Sequence, residues 1–134
     1  MFFSRELDYA LRILRALAKN ELLATKQICD VEYIPQPYTY KILKKLEKAG
    51  LVKGQRGTNG GYQLAKPNDK ITMYDVYIAI EKDLYINECF KPECICPHNS
   101  CGKRCLIHVE MIKMQKQITE LLKQRSIDEI LTGK

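Results

Sequence analysis

The chain has 134 residues, of which 22 are lysine or arginine and 16 are aspartate or glutamate, so its formal net charge is +6. This length suits one ordinary domain that buries its own core without disulfides as the main support. Charged residues interrupt the apolar runs, which argues against a signal peptide and a membrane partner. We therefore expect a cytoplasmic protein whose six cysteines stay reduced and are available for metal binding or redox sensing.

The first helix is predicted over residues 5–19. Ser4 precedes it as an N-cap, and an apolar stripe runs along one face of the helix. The stripe consists of Leu7, Leu11, Leu14 and Ala18. We interpret this helix as a structural element that packs on the core.

Two further helices are predicted before residue 51. Thr25 can cap a short helix that buries Ile28, and the run 33–37, which contains two prolines, then breaks the periodicity. Pro37 suits the first turn of the third helix, and Gly50 is placed to end that helix in a left-handed cap. The third helix has a buried stripe of Ile42, Leu43, Leu46 and Ala49 and an outward face of Tyr40, Lys41, Lys44, Lys45 and Lys48.

Positive charge is concentrated between residues 41 and 66, where seven basic residues accompany the single acid Glu47. Two short strand-like runs, 51–53 and 62–64, flank a stretch of three glycines and an asparagine that favours a tight turn and carries Arg56. A lysine run alone is more often a solvated helix face. The order of helix, turn, basic helix and hairpin instead predicts a winged helix-turn-helix that binds double-stranded operator DNA.

The predicted DNA contacts lie at the start of the second helix, at the exposed start of the third helix and at the tip of the hairpin. Side chains of the third helix would enter the major groove, while Arg56 would reach the DNA backbone or an adjacent minor groove. The predicted contact residues are Thr25, Gln36, Tyr38, Thr39, Tyr40, Lys41, Lys44, Arg56, Gly57, Thr58, Asn59 and Gly60.

The second half of the chain contains a long helix between two capping-box patterns. Thr72 and Asp75 have this spacing before a helix that ends near Lys82, and Ser126 and Glu129 repeat it before a short final helix. Apolar residues of the long helix alternate at spacings of four and three, which predicts a homodimer seam able to bring two DNA-binding domains to paired half-sites. The seam residues are Ile107, Met111, Met114, Ile118 and Leu121. We expect the final helix to pack on the body or on the partner.

Five of the six cysteines lie between residues 89 and 105, and both histidines lie in or just after this segment. If the long helix begins near Cys101, then Cys101, Cys105 and His108 share one face, and Cys94 or Cys96 can supply a further thiolate. Such donors suit an iron–sulfur cluster, zinc or Cu(I), and metal-free redox thiols are the remaining alternative.

Two further residues are interpreted as lying outside this donor set. His98 is predicted to be an exposed loop residue, and Cys29 is predicted to be a small core residue. The chain offers no convincing set of nucleophile, base and orienting group, so we expect neither an enzyme nor a small-molecule substrate.

The sequence resembles the winged-helix pattern of the Rrf-two family of bacterial transcription regulators over nearly its whole length, most strongly over residues 49–64. The matching residues are Ile28, Ile34-Pro35, Tyr38, Leu43, Leu46, Ala49-Gly50-Leu51-Val52, Arg56-Gly57, Gly60-Gly61-Tyr62 and Leu64. Tyr33 departs from the glycine that is frequent at this turn. Tyr40 and Lys41 depart from the pattern where the family reads bases, so no operator preference is carried over.

Some members of this family hold an iron–sulfur cluster, and the resemblance implies that Cys89 and Cys105 match the outer cysteine ligands. The stretch Cys105-Leu106-Ile107-His108 also resembles the end of that cluster loop, whereas the middle of the loop is longer here. With the inner candidates added, the predicted ligands are Cys89, Cys96, Cys101 and Cys105, with Cys94 and His108 as alternates. The expected cofactor is a [2Fe–2S] or [4Fe–4S] cluster, with zinc or no metal as the alternatives.

These features predict a mainly α-helical fold with a small β-hairpin. Residues 1–84 would form the winged helix-turn-helix domain, residues 85–105 a cysteine-rich sensor loop, and residues 106–134 the dimerisation helix and a short C-terminal helix. The leading hypothesis is a dimeric transcriptional regulator whose operator binding is controlled by an iron–sulfur cluster that senses iron, oxygen, nitric oxide or redox state. The alternative is a winged-helix regulator with a structural zinc or a thiol/disulfide switch.

Overall fold

The computed structural model describes residues 2–99 and 102–134. Within these residues the order of elements is α1 (Arg5–Lys19), α2 (Thr25–Glu32), α3 (Gln36–Lys48), β1 (Val52–Gln55), β2 (Gly61–Leu64), α4 (Met73–Glu81), α5 (Leu106–Gln124) and α6 (Ile127–Thr132). Short 3-10 turns lie at Asn68–Lys70, Glu88–Phe90 and Pro97–Asn99. The predicted class, mainly helical with one antiparallel hairpin, is confirmed. No helix in the described part of the chain is both long enough and apolar enough to span a membrane.

Helix α1 is the central core helix. Ser4 caps it as predicted, because its Oγ accepts a hydrogen bond from the backbone N–H of Leu7 at 3.1 Å. Leu7 and Leu14 are fully buried, whereas Leu11 and Ala18 are half-buried. The buried face is wider than the predicted stripe because α1 packs against α3 on one side and α4 on another.

Helices α2 and α3 form the predicted helix-turn-helix. The turn between them passes through Tyr33, whose left-handed conformation (φ 55°) explains why glycine would suit this position. Two details of the prediction are wrong. Ala24 rather than Thr25 is the N-cap of α2, because Gln27 Oε1 reaches back to the Ala24 N–H at 2.8 Å. Ala49 is exposed, since α3 ends before it.

Helix α2 is anchored to α1 by an ion pair. Both carboxylate oxygens of the buried Glu32 accept hydrogen bonds from the Arg15 guanidinium, at 3.1 and 2.5 Å. Arg12 adds a bond to the backbone oxygen of Glu32 at 3.3 Å. These contacts set the position of the helix-turn-helix on the core.

The hairpin is the predicted wing, and its base is joined to the segment before α2. Strands β1 and β2 pair from Val52 with Leu64 to Gln55 with Gly61. Leu23 forms a bridge with Tyr62 through two backbone hydrogen bonds of 3.0 and 2.7 Å. The wing is therefore fixed to the start of the helix-turn-helix as well as to the end of α3.

The C-terminal helices pack on the same core. The two predicted capping boxes, Thr72 with Asp75 and Ser126 with Glu129, are both formed. Helix α6 packs on its own body, where the Ile127 N–H donates to the Ile71 oxygen at 2.7 Å. Leu122 of α5 also joins the core.

Helix α5 begins at Leu106, the first residue of the predicted dimerisation segment 106–134, and Cys105 is its N-cap. It does not begin near Cys101, the alternative start on which the shared face of donors depended. Cys101 lies outside the described residues. A helical face shared by Cys101, Cys105 and His108 therefore has no support, because Cys105 already has an extended backbone (φ −81°, ψ 115°).

Candidate functional site

A groove separates the start of α3 from the wing. It encloses about 600 Å³. Six of the residues predicted to contact DNA line it: Thr25, Gln36, Tyr40, Arg56, Gly57 and Gly60. Thr58 and Asn59 continue the same loop at the exposed wing tip. The groove thus joins the two elements that a winged helix uses to hold DNA.

The exposed start of α3 presents aromatic and amide groups. Gln36 Nε2 donates to the Tyr40 hydroxyl at 3.4 Å, which fixes two potential base-contacting groups relative to each other. Tyr38 is also exposed, but its ring packs edge-to-face on Tyr9 with centroids 5.8 Å apart. Tyr38 therefore lies towards α1 and does not line the groove.

Thr39 is wrongly included among the predicted DNA contacts. It is fully buried, its Oγ1 donates to the Pro35 oxygen at 3.3 Å, and it accepts from Cys29 Sγ at 3.3 Å. Its side chain stabilises the turn from inside the helix pair. Cys29 is half-buried against it and is not one of the buried core residues, so the prediction of a small core residue is wrong in its burial.

The lysines of α3 differ in their ionic partners. Lys41 and Lys45 both bind the carboxylate of Glu6 on α1, at 2.5 and 2.7 Å. The hydrogen bond from Lys41 is the main cause that lowers the pKa of Glu6 below its ordinary value, and the bond from Lys45 adds to this effect. The bond to Glu6 in turn raises the pKa of Lys41. Among residues 2–99 and 102–134, Lys44 and Arg56 form no ion pair, so both are available to phosphate.

Several residues that line the groove were missed by the sequence reasoning, among them one acid and one tyrosine. Glu47 and Tyr62 line the groove beneath the wing, and Glu47 is one of the causes, after burial, that raise the pKa of Tyr62. The sequence could have predicted Glu47, because this residue lies seven positions after Tyr40 and therefore shares its helix face. Tyr62 was noted only as a strand residue.

A second cavity, of about 490 Å³, lies at the N-terminus of α5 and brings together four of the predicted metal ligands. These are Cys89, Cys96, Cys105 and His108. Cys94 is exposed and does not line this cavity, and Cys101 lies outside the described residues. His98 is exposed as predicted, but it also lies on the cavity wall.

His108 is the centre of the contacts in this cavity. Its Nδ1 lies 3.3 Å from Cys89 Sγ, and its backbone N–H donates to Cys105 Sγ at 3.4 Å. The ring of Phe90 packs on the imidazole with centroids 5.0 Å apart. Cys105 Sγ thus occupies a helix N-terminus, where backbone N–H groups favour negative charge on a ligand atom.

The donor chemistry of the cavity fits a metal that prefers sulfur. Three cysteine thiols and two imidazoles line it, which suits an iron–sulfur cluster or zinc. The donors are not preassembled, because in the described part of the chain no three His, Cys, Asp or Glu side chains are close enough to hold one metal ion. Binding would therefore require the 89–105 loop to draw its thiols together.

The predicted dimer seam divides into two sets. Ile107, Met114 and Leu121 are 72%, 49% and 63% exposed. Met111 and Ile118 are instead half-buried, with Ile118 packed on the core of its own chain. The described chain thus leaves one edge of the stripe uncovered.

Comparison with known proteins adds independent findings. A family model described as "Rrf2: Iron-dependent Transcriptional regulator" matches residues 3–133. The HTH-type transcriptional regulator NsrR of Shouchella clausii is 34% identical over 119 residues, which cover 84% of this chain and 78% of that relative. These matches are to transcriptional regulators and not to enzymes.

Two solved structures are similar in fold. CymR, the global cysteine regulator of B. subtilis, has a TM-score of 0.79 at 23% identity and covers 100% of this chain and 98% of its own. IscR of T. potens has a TM-score of 0.76 at 24% identity and covers 97% of this chain and 85% of its own. The similarity extends over both the winged helix-turn-helix and the C-terminal helices.

Proposed function

Because the chain belongs to the Rrf2 family of transcriptional regulators, we propose that it is a homodimeric, cytoplasmic regulator whose operator binding is controlled by an iron–sulfur cluster. One observation carries the proposal of a cluster. Cys89, Cys96, Cys105 and His108 line a single cavity at the start of α5, although Cys89 and His108 are 19 positions apart. A grouping of thiols and an imidazole on one cavity wall suits coordination better than scattered structural thiols.

Operator binding rests on the groove between α3 and the wing. Gln36 and Tyr40 present hydrogen-bonding groups at the exposed start of α3. Lys44 and Arg56, which form no ion pair within the described residues, supply positive charge. The polar groups would contact base edges, while the two cations would contact phosphates and provide most of the salt-dependent affinity. A homodimer would present two such grooves to paired half-sites.

Cys89, Cys96 and Cys105 would hold the cluster, with Cys101, Cys94 and His108 as the candidates for the remaining ligand. When bound, an iron–sulfur cluster supplies reversible one-electron chemistry. The chain's own contribution is to orient the donors. Cys105 is held by the N–H of His108, and the His108 ring is held by Phe90.

The position of Cys105 suggests how the site affects DNA binding. Its side chain caps α5, so ligation there acts directly on the first turn of that helix. Helix α5 packs on α4, and α4 packs on α3. The cavity is therefore connected to α3 by helices that pack on one another. A change at the cavity would act by favouring one of two arrangements of these helices.

A second candidate function is regulation by a structural zinc or by thiol oxidation without a cluster. The observation that favours it is the open arrangement of the donors, since no three described side chains converge on one point. All five described cysteines are free, and Cys94 is exposed to solvent. Exposed thiols near one another can form a disulfide or bind zinc when the loop closes.

The test compares Cys105→Ser with Cys29→Ser in anaerobically purified protein. Serine is a good N-cap, so Cys105→Ser should keep α5 while removing a ligand. We expect it to lose the visible absorbance and the iron and to change operator affinity. Cys29→Ser is the matched control, because a hydroxyl can still donate to Thr39, and it should keep all three properties.

Each alternative gives a different result in the same experiment. A full chromophore in Cys105→Ser would remove this cavity as the cluster site. Wild-type protein that is colourless, with stoichiometric zinc, and a Cys105→Ser variant that unfolds would instead establish the structural-zinc function. Colourless metal-free protein whose DNA binding changes on reversible oxidation would establish the thiol switch.

A further inference from the structure

The segment 86–89 is attached to one face of α5 through three contacts. The Ile86 N–H donates to Gln115 Oε1 at 3.0 Å, and Asn87 Nδ2 donates to Met111 Sδ at 3.1 Å. Cys89 Sγ lies 3.3 Å from His108 Nδ1. The three α5 residues are spaced three and four apart, so they form one continuous strip along the helix. These contacts fasten the segment to α5 on one side of the cavity.

Asn87 contacts both the cysteine and the helix. Its Nδ2 donates to Cys89 Sγ at 3.3 Å as well as to Met111 Sδ at 3.1 Å. A side-chain amide carries two N–H groups, so a single Nδ2 can make both bonds at once. Both acceptors are sulfur atoms, and the one on Cys89 is expected to carry negative charge when it is a ligand.

We propose that Asn87 is a positioning residue that donates a hydrogen bond to the Cys89 ligand sulfur, sets the redox potential of the centre, and links this sulfur to α5 through Met111. The inference rests on the proposed cluster at this cavity. Hydrogen bonds to cluster sulfurs favour the more negative, reduced state, so their removal lowers the midpoint potential.

The same contacts connect the state of the sulfur to the helix. A hydrogen bond to a charged sulfur is stronger than one to a neutral sulfur, so the strength of the Asn87 bond follows the charge on Cys89. Because the same Nδ2 is held by Met111, a change on the Cys89 side alters the restraint on α5. Asn87 is half-buried, which limits its competition with water.

The experiment measures the midpoint potential and the iron content of the full-length protein, purified anaerobically. Asn87→Leu keeps a similar volume but removes the donor, and we expect full iron with a lower midpoint potential. Asn87→Asp replaces the donor by a carboxylate and is expected to lower the potential further. If Asn87→Leu fails to fold, the midpoint potential of Asn87→Asp tests the role of Asn87 instead.

The matched control is Asn68→Leu, because the Asn68 amide donates to Asp128 at 3.4 Å, away from the cavity. It should leave the potential unchanged. Hydrogen exchange of the Ile86 N–H in iron-free protein gives a second measurement, and it should be faster in Asn87→Leu than in either wild type or Asn68→Leu.

The outcomes separate this inference from the function on which it rests. Wild type with a cluster, and Asn87 variants with full iron and an unchanged potential, would overturn the role of Asn87 alone. Wild type that contains neither iron nor sulfide would overturn the proposed cluster and the role of Asn87 together.

Discussion

Lysine side chains on one helix have different roles here because of a single acidic residue on another helix. Glu6 of α1 binds Lys41 and Lys45, whereas Lys44 has no such partner in the described part of the chain. Lys41 remains 59% exposed on its side chain, so its ion pair is open to solvent and weak. The positive charge that α3 offers to DNA is therefore smaller than its number of lysines suggests.

Removing an unpaired cation should reduce the salt dependence of DNA binding. We expect Lys44→Ala and Arg56→Ala each to weaken operator binding and to reduce the slope of log affinity against log salt by about 1. Lys116→Ala, an exposed lysine on α5, is the matched control and should change neither quantity. Fluorescence anisotropy over a salt series provides the measurement. Unchanged slopes in both variants would remove α3 and the wing from the interface.

Removing Glu6 should have the opposite effect on DNA binding. Glu6→Gln frees Lys41 and the less exposed Lys45 from their ion pairs, so we expect tighter DNA binding with a steeper salt dependence. Most of the gain should disappear in the double variant Glu6→Gln with Lys41→Ala, measured in the same titration. An unchanged affinity in Glu6→Gln would show that Lys41 does not reach phosphate.

The same ion pairs give stability a defined pH dependence. Because Lys41 and Lys45 lower the pKa of Glu6 below 4.5, their contribution is fully present above that pH and is lost as pH falls through the lower folded-state value. The stability difference between wild type and Glu6→Gln, measured by urea unfolding, should therefore shrink as the pH falls below 4.5. A difference that stays constant with pH would contradict this assignment.

The wing depends on two glycines, one directly before its second strand and one at the start of it. A Cβ at Gly61 would lie 2.3 Å from the Leu23 carbonyl oxygen, and one at Gly60 would lie 2.3 Å from the Gln55 oxygen. Both obstacles are backbone atoms that a small side-chain movement cannot relieve. The close pairing of β2 with Leu23 therefore requires glycine.

Gly61→Ala should detach the base of the wing from the segment before α2. We expect weaker operator binding, by about tenfold if ~1.4 kcal/mol of wing positioning is lost, with the helical content retained. Gly133→Ala is the control, since its φ of 72° makes alanine strained but no atom lies within 4 Å of the new Cβ. Circular dichroism and anisotropy distinguish the two effects. Equal losses in both variants would point to general destabilisation.

The accuracy of the sequence prediction follows the range of the interactions. Ser4, the Thr72 box and the Ser126 box were predicted because each cap depends on residues only three positions apart. The alternative start of α5 near Cys101 is not found, because Cys105, a residue type outside the usual N-cap preferences, caps the helix directly before Leu106. Thr39 was wrongly predicted to contact DNA, because the periodicity of α3 alone does not show that α2 covers this side chain.

The candidate sites show the same limit. The groove could be predicted as an order of elements, and the cysteine cavity as a dense local cluster. Glu6 was missed as a partner of α3 because 35 positions separate it from Lys41. The role of Asn87 also depended on a contact 24 positions away, with Met111. Sequence spacing alone does not reveal such pairs.

At the scale of the whole molecule, α5 has two faces with different tasks. Ile118 and Leu122 pack on the body of their own chain, while Ile107, Met114 and Leu121 leave an apolar strip exposed at spacings of seven residues. A strip with this repeat suits pairing with the same strip of a second copy around a two-fold axis. Because the exposed strip does not include the residues that pack on the core, it can be mutated to test dimerisation without disturbing the fold.

Charging the exposed strip should dissociate the proposed homodimer. In Met114→Glu with Leu121→Glu, dimerisation would bury two unpaired carboxylates in each chain, at a cost of several kcal/mol, whereas the monomer leaves them in water. Sedimentation velocity should therefore show a folded monomer, and operator affinity should fall because the half-sites are no longer bound together. Ile118→Glu is the contrasting variant, since it should lower thermal stability by burying a charge against its own core. A folded dimer in the double variant would place the interface on another surface.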